Sequence, residues 1–320
     1  MTAVLSDWKT RLRLPLIAAP MFGVSGPDLV IAACRAGVIG AFPTANCRSL
    51  VELDQWLCKI RSNLTESDAP FCPNLIIRHD DVDAQLDVLL KHRVEMVITS
   101  VGSPAAVVEP LRGTGCRVFA DVASLRHAHR ALDAGVDGLM LLSAGAGGQT
   151  GWVNGFSFVR AVRRFYDGPI VLAGGMSDGH CIRAAMELGC DLVGMGTQFI
   201  ATKESLATPS YKDMLVASEL DDILLSAAFT GLPASMLKPS VVAAGLDPAR
   251  LPEGLTSEGA AHLFGSGGSA PRRWLQIWSA GHSVSGVRDI PSTADLITRI
   301  RDEYESGRAE VRQPHRARSR

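Results

Sequence analysis

The sequence has no long apolar run, no paired cysteines and almost no net charge. No uninterrupted apolar stretch approaches the ~18 residues that a membrane-spanning helix needs, and the first residues, MTAVLSDWKTRLRLP, lack the apolar core of a signal peptide. The seven cysteines are scattered and form no CxxC pair, which is typical of thiols kept reduced inside the cell. We therefore expect a soluble, cytoplasmic protein that has no membrane partner.

The balance of charge excludes a second group of functions. The 320 residues include 32 Lys and Arg against 33 Asp and Glu, so the formal net charge is −1. A chain with so little excess charge has no general attraction for nucleic acid, and we expect no nucleic-acid partner. No group of His, Cys, Asp and Glu has metal-ligand spacing, and we predict no metal site. The sequence leaves the oligomeric state open, a homo-oligomer included.

Eight short apolar runs recur along the first two thirds of the chain. They cover residues 14–20, 38–42, 71–77, 94–100, 116–122, 136–142, 169–173 and 190–196. Amphipathic segments lie between them, and several of these end in glycine, as helices often do. Strands that are apolar on both faces belong to a parallel sheet covered by helices. The repeat predicts an α/β fold, a (β/α)₈ TIM barrel, with an open doubly wound sheet as the alternative.

The alternation of strands and helices stops near Ala201. Residues 202–273 are predicted to form a helical substrate or lid subdomain, inserted after the eighth strand and placed over the barrel mouth. Residues 274–306 would then return to the barrel and supply its last helix, so that the barrel comprises 1–201 and 274–306. The basic end, 307–320, is poor in apolar residues and is predicted to be a disordered tail.

Three glycine-rich turns follow consecutive predicted strands. They read SAGAGGQTG (143–151), AGGMSDG (173–179) and GMGT (194–197). Glycine lets backbone N–H groups approach a ligand closely, and the loops after strands 7 and 8 of TIM barrels frequently hold a phosphate. The rest of the predicted mouth is polar but carries little charge, with one carboxylate at Asp121. This composition indicates a phosphate-bearing, flat heterocyclic cofactor rather than a metal.

These motifs resemble those of the flavin-dependent nitronate monooxygenases, formerly called 2-nitropropane dioxygenases, and of the related flavin-dependent enoyl-acyl-carrier-protein reductases. The matching segments are APM (19–21), PNL (73–75), GAGGQTG (145–151), LAGGMSDG (172–179), GMGTQFIATKES (194–205) and SAGHSVSGV (279–287). The resemblance covers roughly residues 14–290 and is specific for the superfamily, not for one reaction within it. It implies a barrel that binds FMN without a covalent bond.

The resemblance also implies which residues surround the FMN. They are Pro20, Met21, Asn74, Gly147, Gly148, Gly174, Gly175, Gly196 and Thr197. Pro20 and Met21 would lie against the flavin ring, and Asn74 would hydrogen-bond the ring or the ribityl chain. Gly147 and Gly148 would approach the ring edge, and the last four residues would hold the phosphate. Without the resemblance, Met21 fits a core methionine and Asn74 a turn or a helix cap.

At position 149 the chain departs from the family pattern. Nitronate monooxygenases usually carry a histidine there, understood to remove the substrate α-proton, whereas the amide of Gln149 cannot act as a base. Gln149 would then act by hydrogen bonding or by shaping the pocket. If the enzyme deprotonates its own substrate, His282 is the first candidate base and Asp121 the second, since an imidazole titrates near neutral pH. The alternatives without a catalytic role are that His282 is a surface histidine and that Asp121 caps a helix or forms an ion pair.

The leading interpretation is an FMN-dependent oxidoreductase, a monooxygenase that oxidises a nitronate or nitroalkane with O₂. An NAD(P)H-dependent reductase of quinones or enoyl thioesters on the same scaffold is the second interpretation. The chain has no GxGxxG fingerprint after a strand, but reductases of this fold need none. The third is a flavin-free lyase or isomerase that uses the barrel phosphate site for its substrate.

Overall fold

A closed ring of parallel strands forms the centre of the protein. The computed structural model describes residues 3–264 and 271–310. In chain order the strands are β1 (Leu16–Ala18), β2 (Ile39–Pro43), β3 (Phe71–Ile76), β4 (Met96–Ser100), β5 (Arg117–Val122), β6 (Gly138–Leu142), β7 (Gly148–Gln149), β8 (Ile170–Ala173), β9 (Leu192–Met195), β10 (Ile223–Ser226) and β11 (Ala234–Leu237). Strands β1 to β6, β8 and β9 close the barrel, with β9 pairing back onto β1. Each predicted apolar run overlaps one of these eight strands, and the predicted TIM barrel is confirmed.

The strands are buried on both faces, which explains their uninterrupted apolar runs. Their outward side chains pack against the helices, and their inward side chains form a second apolar cluster inside the ring. Leu5 and Trp8, on a 3₁₀-helix at Ala3–Trp8, belong to this inner cluster. The N-terminal segment therefore contributes to the inner core, and the opposite, C-terminal end of the strands carries the cavity described below.

Helices cover the ring. In chain order they are α1 (Pro27–Arg35), α2 (Leu50–Ser62), α3 (Val82–Lys91), α4 (Ala105–Leu111), α5 (Leu125–Asp133), α6 (Gly155–Val162), α7 (Gly179–Leu188), α8 (Thr197–Ile200), α9 (Pro209–Val216), α10 (Lys238–Ala243), α11 (Ser257–Phe264) and α12 (Thr293–Glu310). Side-chain caps fix several starts: Ser124 Oγ accepts from the His127 N–H at 3.2 Å at the start of α5. The last helix, α12, packs against both α7 and α1 and completes the ring of helices. No helix among the described residues is long and apolar enough to cross a lipid bilayer.

The inserted segment differs from the predicted helical subdomain. It contains α9, α10 and α11, but β10 and β11 also form an antiparallel hairpin there. Strand β11 pairs in turn with β7, which lies in the glycine-rich loop after β6. The sequence did not reveal this hairpin because each of its strands has only four residues. The third strand of the sheet, β7, also lies about 85 residues before β11 in the chain. The pairing ties the insertion to the barrel mouth.

Three stretches of the predicted domain plan fall outside the described residues. These are 1–2 of the predicted barrel, 265–270 of the predicted inserted subdomain and 311–320 of the predicted tail. Helix α12 continues to Glu310, so residues 307–310 are helical rather than part of a tail.

Candidate active site

A cavity of about 1040 Å³ opens at the C-terminal ends of the barrel strands. Residues at or just after the strand ends line it, among them Ala19, Ser100, Leu142 and Ala173. All predicted site residues except His282 also line it: Pro20, Met21, Asn74, Asp121, Gly147, Gly148, Gln149, Gly174, Gly175, Gly196 and Thr197. The structure thus brings these residues together, while their individual roles stay predictions.

The loop after β1 carries Met21 and is held by an amide that the sequence did not reveal. Asn46 Nδ2 donates to the carbonyls of Met21 (3.0 Å) and Ser25 (2.8 Å), and Asn46 Oδ1 accepts from the Gly23 N–H (2.8 Å). A side chain that uses both ends of its amide on one loop fixes the loop backbone. Met21 is therefore positioned at the cavity by Asn46, which also lines it.

Asn74 lies within β3, not in a turn or a helix cap. Its Nδ2 donates to the Ile98 carbonyl at 3.2 Å and lies 3.2 Å from Ser100 Oγ, on the neighbouring strand β4. The side chain is buried at 6% exposure, and β4 fixes its orientation toward the cavity. A buried amide held by its neighbour presents a defined hydrogen-bonding group to a ligand.

The turns after β8 and β9, which are predicted to hold a phosphate, both line the cavity. Gly175 has φ +71°, and a Cβ placed on it would meet nothing within 4 Å, so its backbone faces open space in the cavity. Thr197 begins α8, and its Oγ1 accepts from the Gly281 N–H at 2.9 Å. The Thr197 O–H has no acceptor among the described residues and can donate to a ligand. No lysine or arginine of these two turns lines the cavity.

The loop after β6 is held in place from two sides. Thr150 Oγ1 donates to the Ser143 carbonyl at 2.9 Å, and Gln149 pairs with Ala234 of β11. Gly147 lies so close to the returning segment that a Cβ would stand 2.8 Å from the Gly281 nitrogen. The side chain of Gln149 is exposed at the cavity wall and makes no hydrogen bond to other described residues. It is free to contact a bound molecule.

Asp121 is the one carboxylate of the cavity wall. Its Oδ1 is buried and has no hydrogen-bond partner among the described residues, and burial raises the pKa of the carboxyl to about 7. Ser124 caps α5, so Asp121 is not that helix cap, and it forms no ion pair within the described chain. A carboxyl that is half ionised near neutral pH can accept or donate a proton.

His282 is not in the cavity. It is exposed, and its ring lies against Gly145, where a Cβ would stand 2.6 Å from Nδ1. Ser283, the next residue of the 3₁₀-helix at His282–Gly286, lines the cavity, whereas His282 does not. The expectation that His282 faces the pocket is therefore not met, and the placement favours Asp121 as the candidate base.

The comparisons with known proteins agree with this geometry. The family model described as nitronate monooxygenase matches residues 80–303. The nitronate monooxygenase of Paraburkholderia phytofirmans is 26% identical over 93% of this chain and 94% of its own. A hydroxy-methyl-oxo-octahydro-indene carboxyl-CoA dehydrogenase of Rhodococcus jostii is 28% identical over 71% of this chain, and the match spans 64% of that enzyme's length. A nitroalkane oxidase structure from Streptomyces ansochromogenes superposes with a TM-score of 0.77 at 24% identity, covering 96% of this chain and 100% of that one, which shows the shared fold.

The chain belongs to the nitronate monooxygenase family. The match covers more than two thirds of the sequence and includes the loops after β5, β6, β8 and β9. The predicted class, a flavin-dependent oxidoreductase on a TIM barrel, is thereby confirmed, whereas the substrate and the form of the flavin belong to the proposal below.

In this member of the nitronate monooxygenase family, aromatic residues of the returning segment also line the cavity. The sequence motifs did not point to them. Trp278 stacks on Tyr211 of α9, with ring centroids 4.8 Å apart and an 11° angle between planes. The Tyr211 hydroxyl donates to the Ser279 carbonyl, and burial raises the pKa of this phenol to about 12. Trp274 lies near Gly148. The i, i+4 spacing of the two tryptophans in WLQIW was the available signal.

Outside the cavity, three potential metal ligands converge between α2 and α3. The ligand atoms of Asp54, Cys58 and His92 lie within 4.8 Å of one another. In the structure Asp54 Oδ1 is bonded to Lys91 Nζ at 2.7 Å and to His92 Nε2 at 2.8 Å. The sequence did not reveal this group because Asp54 and Cys58 lie on α2, whereas His92 follows α3. The geometry is that of an ion-pair network on the barrel exterior.

Proposed function

We propose that the protein is an FMN-dependent monooxygenase that oxidises nitronates, or the nitroalkanes from which they form, with O₂. The observation that carries the proposal is the Asp121 carboxyl: it lines the cavity, its Oδ1 lacks a partner, and burial raises its pKa to about 7. Nitroalkanes carry an acidic C–H bond, and a base of this pKa suits its removal at neutral pH.

The residues around the cavity fit FMN. The cavity volume of about 1040 Å³ is slightly above the ~300–1,000 Å³ typical of sites for drug-sized ligands. The cavity therefore has room for a cofactor and a small substrate. The open backbone at Gly175 and the unused O–H of Thr197 would hold one phosphate by hydrogen bonds alone. Met21 and the amide of Asn74 would hold the ring and its side chain. When bound, FMN would supply the redox chemistry between the substrate and O₂.

The protein's own residues would orient the substrate and move its proton. The Asp121 carboxylate would take the α-proton of a neutral nitroalkane, while a preformed nitronate would need no base. Gln149, exposed beside the same cavity, would hydrogen-bond the nitro group without taking part in proton transfer. The aromatic walls formed by Trp274 and Trp278 would limit the access of water to the reacting atoms.

A second candidate is a reductase of enoyl thioesters or quinones that uses NAD(P)H. It is favoured by the arginines Arg48, Arg272 and Arg273 on the cavity wall, since a dinucleotide carries several negative charges. The name of the Rhodococcus relative, a carboxyl-CoA dehydrogenase, supports a thioester substrate for either reaction direction.

Three measurements on one preparation test the proposal. A visible spectrum with flavin absorption, followed by FMN release on denaturation, is expected. Oxygen uptake should accompany oxidation of a preformed nitronate. Anaerobic mixing with NADH or NADPH should leave the flavin oxidised. Rapid bleaching without nitronate turnover would instead establish the reductase, and a colourless, flavin-free preparation that cannot be reconstituted would return the site to lyase or isomerase chemistry.

A further inference from the structure

Asp54, Cys58 and His92 bring a carboxylate, a thiol and an imidazole to one point on the outside of the barrel. Their ligand atoms lie within 4.8 Å of one another. Asp54 and Cys58 are i, i+4 neighbours on α2 and therefore share one face of that helix, whereas His92 directly follows α3. None of the three lines the large cavity. The group is thus a second cluster of reactive side chains, and the proposed reaction does not use it.

The imidazole of His92 is the fixed member of the group. Its side chain is only 8% exposed, and Nε2 lies 2.8 Å from Asp54 Oδ1. The His92 N–H donates to the Val88 carbonyl at 3.2 Å, and the His92 carbonyl accepts from Arg61 Nη1, so α2 holds the end of α3 directly. A buried ring that already points at the carboxylate of a neighbouring helix loses little further freedom when it binds a ligand.

Asp54 is shared between this imidazole and the ammonium group of Lys91. Lys91 Nζ lies 2.7 Å from Asp54 Oδ1, but the lysine side chain is 67% exposed. An ion pair this exposed contributes little to stability, and a flexible lysine can turn into solvent. Cys58 is also exposed, so the group is open to solvent. The ammonium therefore marks a place where a positive charge is already favoured and where a cation can replace it.

The three donor types select one class of metal ion. Thiolate and imidazole are ligands of Zn²⁺ and its transition-metal neighbours, whereas Mg²⁺ and Ca²⁺ prefer oxygen ligands. A carboxylate and a thiolate together carry two negative charges, which balance a divalent cation beside a neutral imidazole. Zinc bonds of about 2.0–2.3 Å at tetrahedral angles place neighbouring ligand atoms roughly 3.3–3.6 Å apart. Since the three atoms lie within 4.8 Å, small rotations of the Asp54 and Cys58 side chains would complete this geometry.

We propose that Asp54, Cys58 and His92 form a structural zinc site that joins α2 to α3, with Lys91 displaced into solvent and a water molecule as the fourth ligand. The Cys58 thiol releases its proton to solvent as the metal binds. His92 lies between α3 and β4, in a segment at the end of the barrel opposite the active site, where residues serve stability rather than catalysis. The site therefore stabilises the fold and does not rest on the proposed function. It would overturn the sequence-based expectation that the chain has no metal site.

Calorimetric titration of the flavin-loaded, chelator-treated protein with Zn²⁺ tests the site, in a form without an affinity tag. We expect one Zn²⁺ to bind per chain. Cys58→Ser should weaken that binding by more than the ~10- to 100-fold typical of losing an outer-shell partner of a metal ligand. Lys91→Ala should tighten it by about 2- to 5-fold, the worth of an exposed ion pair, because it removes the competitor for Asp54. Lys59→Ala is the matched control: Lys59 is also an exposed lysine with Nζ 2.7 Å from a carboxylate, but that carboxylate belongs to Asp28.

Two further readouts separate a metal site from a reactive surface thiol. Zn²⁺ should raise the thermal midpoint of the unmodified protein and leave that of Cys58→Ser unchanged. Co²⁺ in place of zinc should give the intense visible absorption of a four-coordinate site, at wavelengths beyond the flavin bands, and Cys58→Ser should lack it. The site is refuted if Zn²⁺ does not bind, if it binds the unmodified protein and Cys58→Ser equally, or if Lys91→Ala binds it no more tightly than Lys59→Ala. Failure of the proposed function would instead show in the metal-free protein, as absent flavin or absent nitronate oxidation.

Discussion

Thr197 and Gly281 join the turn after β9, the last strand of the barrel, to the segment that returns to the mouth. The threonine Oγ1 accepts from the glycine N–H at 2.9 Å, and both residues are buried. Thr197→Val keeps the shape of the side chain but leaves this N–H without a partner, which should cost about 1–3 kcal/mol of unfolding free energy. Thr197→Ser should restore most of it. Denaturant unfolding of the flavin-free proteins measures the difference, and equal stability of the Val and Ser variants would contradict the coupling.

Asp121→Asn should abolish most turnover of neutral nitroalkanes and spare preformed nitronates, because an amide cannot accept the α-proton. In the unmodified enzyme, kcat/KM for a neutral nitroalkane should rise with pH through about 7, where the carboxyl ionises. This rise of kcat/KM with pH should be absent when preformed nitronate is the substrate, and it should be absent in Asp121→Asn. Flavin content and nitronate turnover serve as controls. An unchanged neutral-substrate rate in Asp121→Asn would transfer proton removal to solvent or to another group.

The same carboxyl should make stability depend on pH. Its pKa is raised in the folded protein from 3.8 to about 7, so the folded state is favoured at low pH and that stability is lost as pH rises toward 7. The full effect corresponds to roughly 4 kcal/mol in the flavin-free protein. Comparing thermal midpoints at pH 5 and pH 8 measures the part of this effect that is lost above pH 5, roughly 3 kcal/mol. The decline between the two pH values should be smaller in Asp121→Asn than in the unmodified protein. Parallel declines would show that the carboxyl is better solvated than its burial indicates.

Gly175→Val should abolish flavin retention, because its side chain would project into the open space predicted to hold the phosphate. Gly113→Val is the matched control: Gly113 has φ +77° against +71° for Gly175, and a Cβ would also meet nothing within 4 Å, but it lies in the turn between α4 and β5, at the opposite end of the barrel. Both variants carry the same backbone strain. Flavin content after gel filtration should fall only in Gly175→Val, and equal retention would mean that the phosphate lies elsewhere.

Gln149→His should raise turnover of neutral nitroalkanes relative to nitronates, since it adds a base with a working pKa at the cavity wall. Gln149→Ala should lower turnover of both substrates modestly through loss of a hydrogen bond. The ratio of the two rates, measured in each variant, is the decisive quantity. If the ratio stays constant across Gln, Ala and His, position 149 has no part in substrate deprotonation.

His282→Gln should retain both flavin and neutral-substrate activity, because the imidazole is exposed and lies outside the cavity. The variant is a counterpart to Asp121→Asn under the same assay. If kcat/KM for a neutral nitroalkane no longer rises with pH in His282→Gln but still does so in Asp121→Asn, the base is His282 rather than Asp121.

The barrel was predictable because its signal is local. Strands such as β6 and β8 are buried on both faces, so each reads as a continuous apolar run whatever its neighbours are. The hairpin of β10 and β11 lacks this signal, since β10 is only half-buried and its pairing depends on β7. The sequence also placed the glycine turns and Asn74 at the mouth, because strand ends of a closed parallel barrel meet at one edge.

The catalytic assignment was harder because it depends on rotation and burial. His282 and Ser283 are neighbours in the sequence, yet only Ser283 reaches the cavity. The raised pKa of Asp121 follows from the packing around Oδ1, which no local pattern records. Asn46 is an ordinary loop residue in sequence and gains its position from its hydrogen bonds to the loop after β1.

The placement of α12 has a consequence for the order in which the molecule assembles. Its partners α1 and α7 are complete by Leu188, but α12 begins only at Thr293, so the apolar faces they present to it stay exposed while about a hundred further residues are synthesised. Closure of the ring is therefore a long-range, late event, of the kind that slows folding and leaves an aggregation-prone intermediate. Chains that stop before Thr293 should expose Leu296's docking site and require chaperone assistance, even though every barrel strand and every glycine turn is present in them.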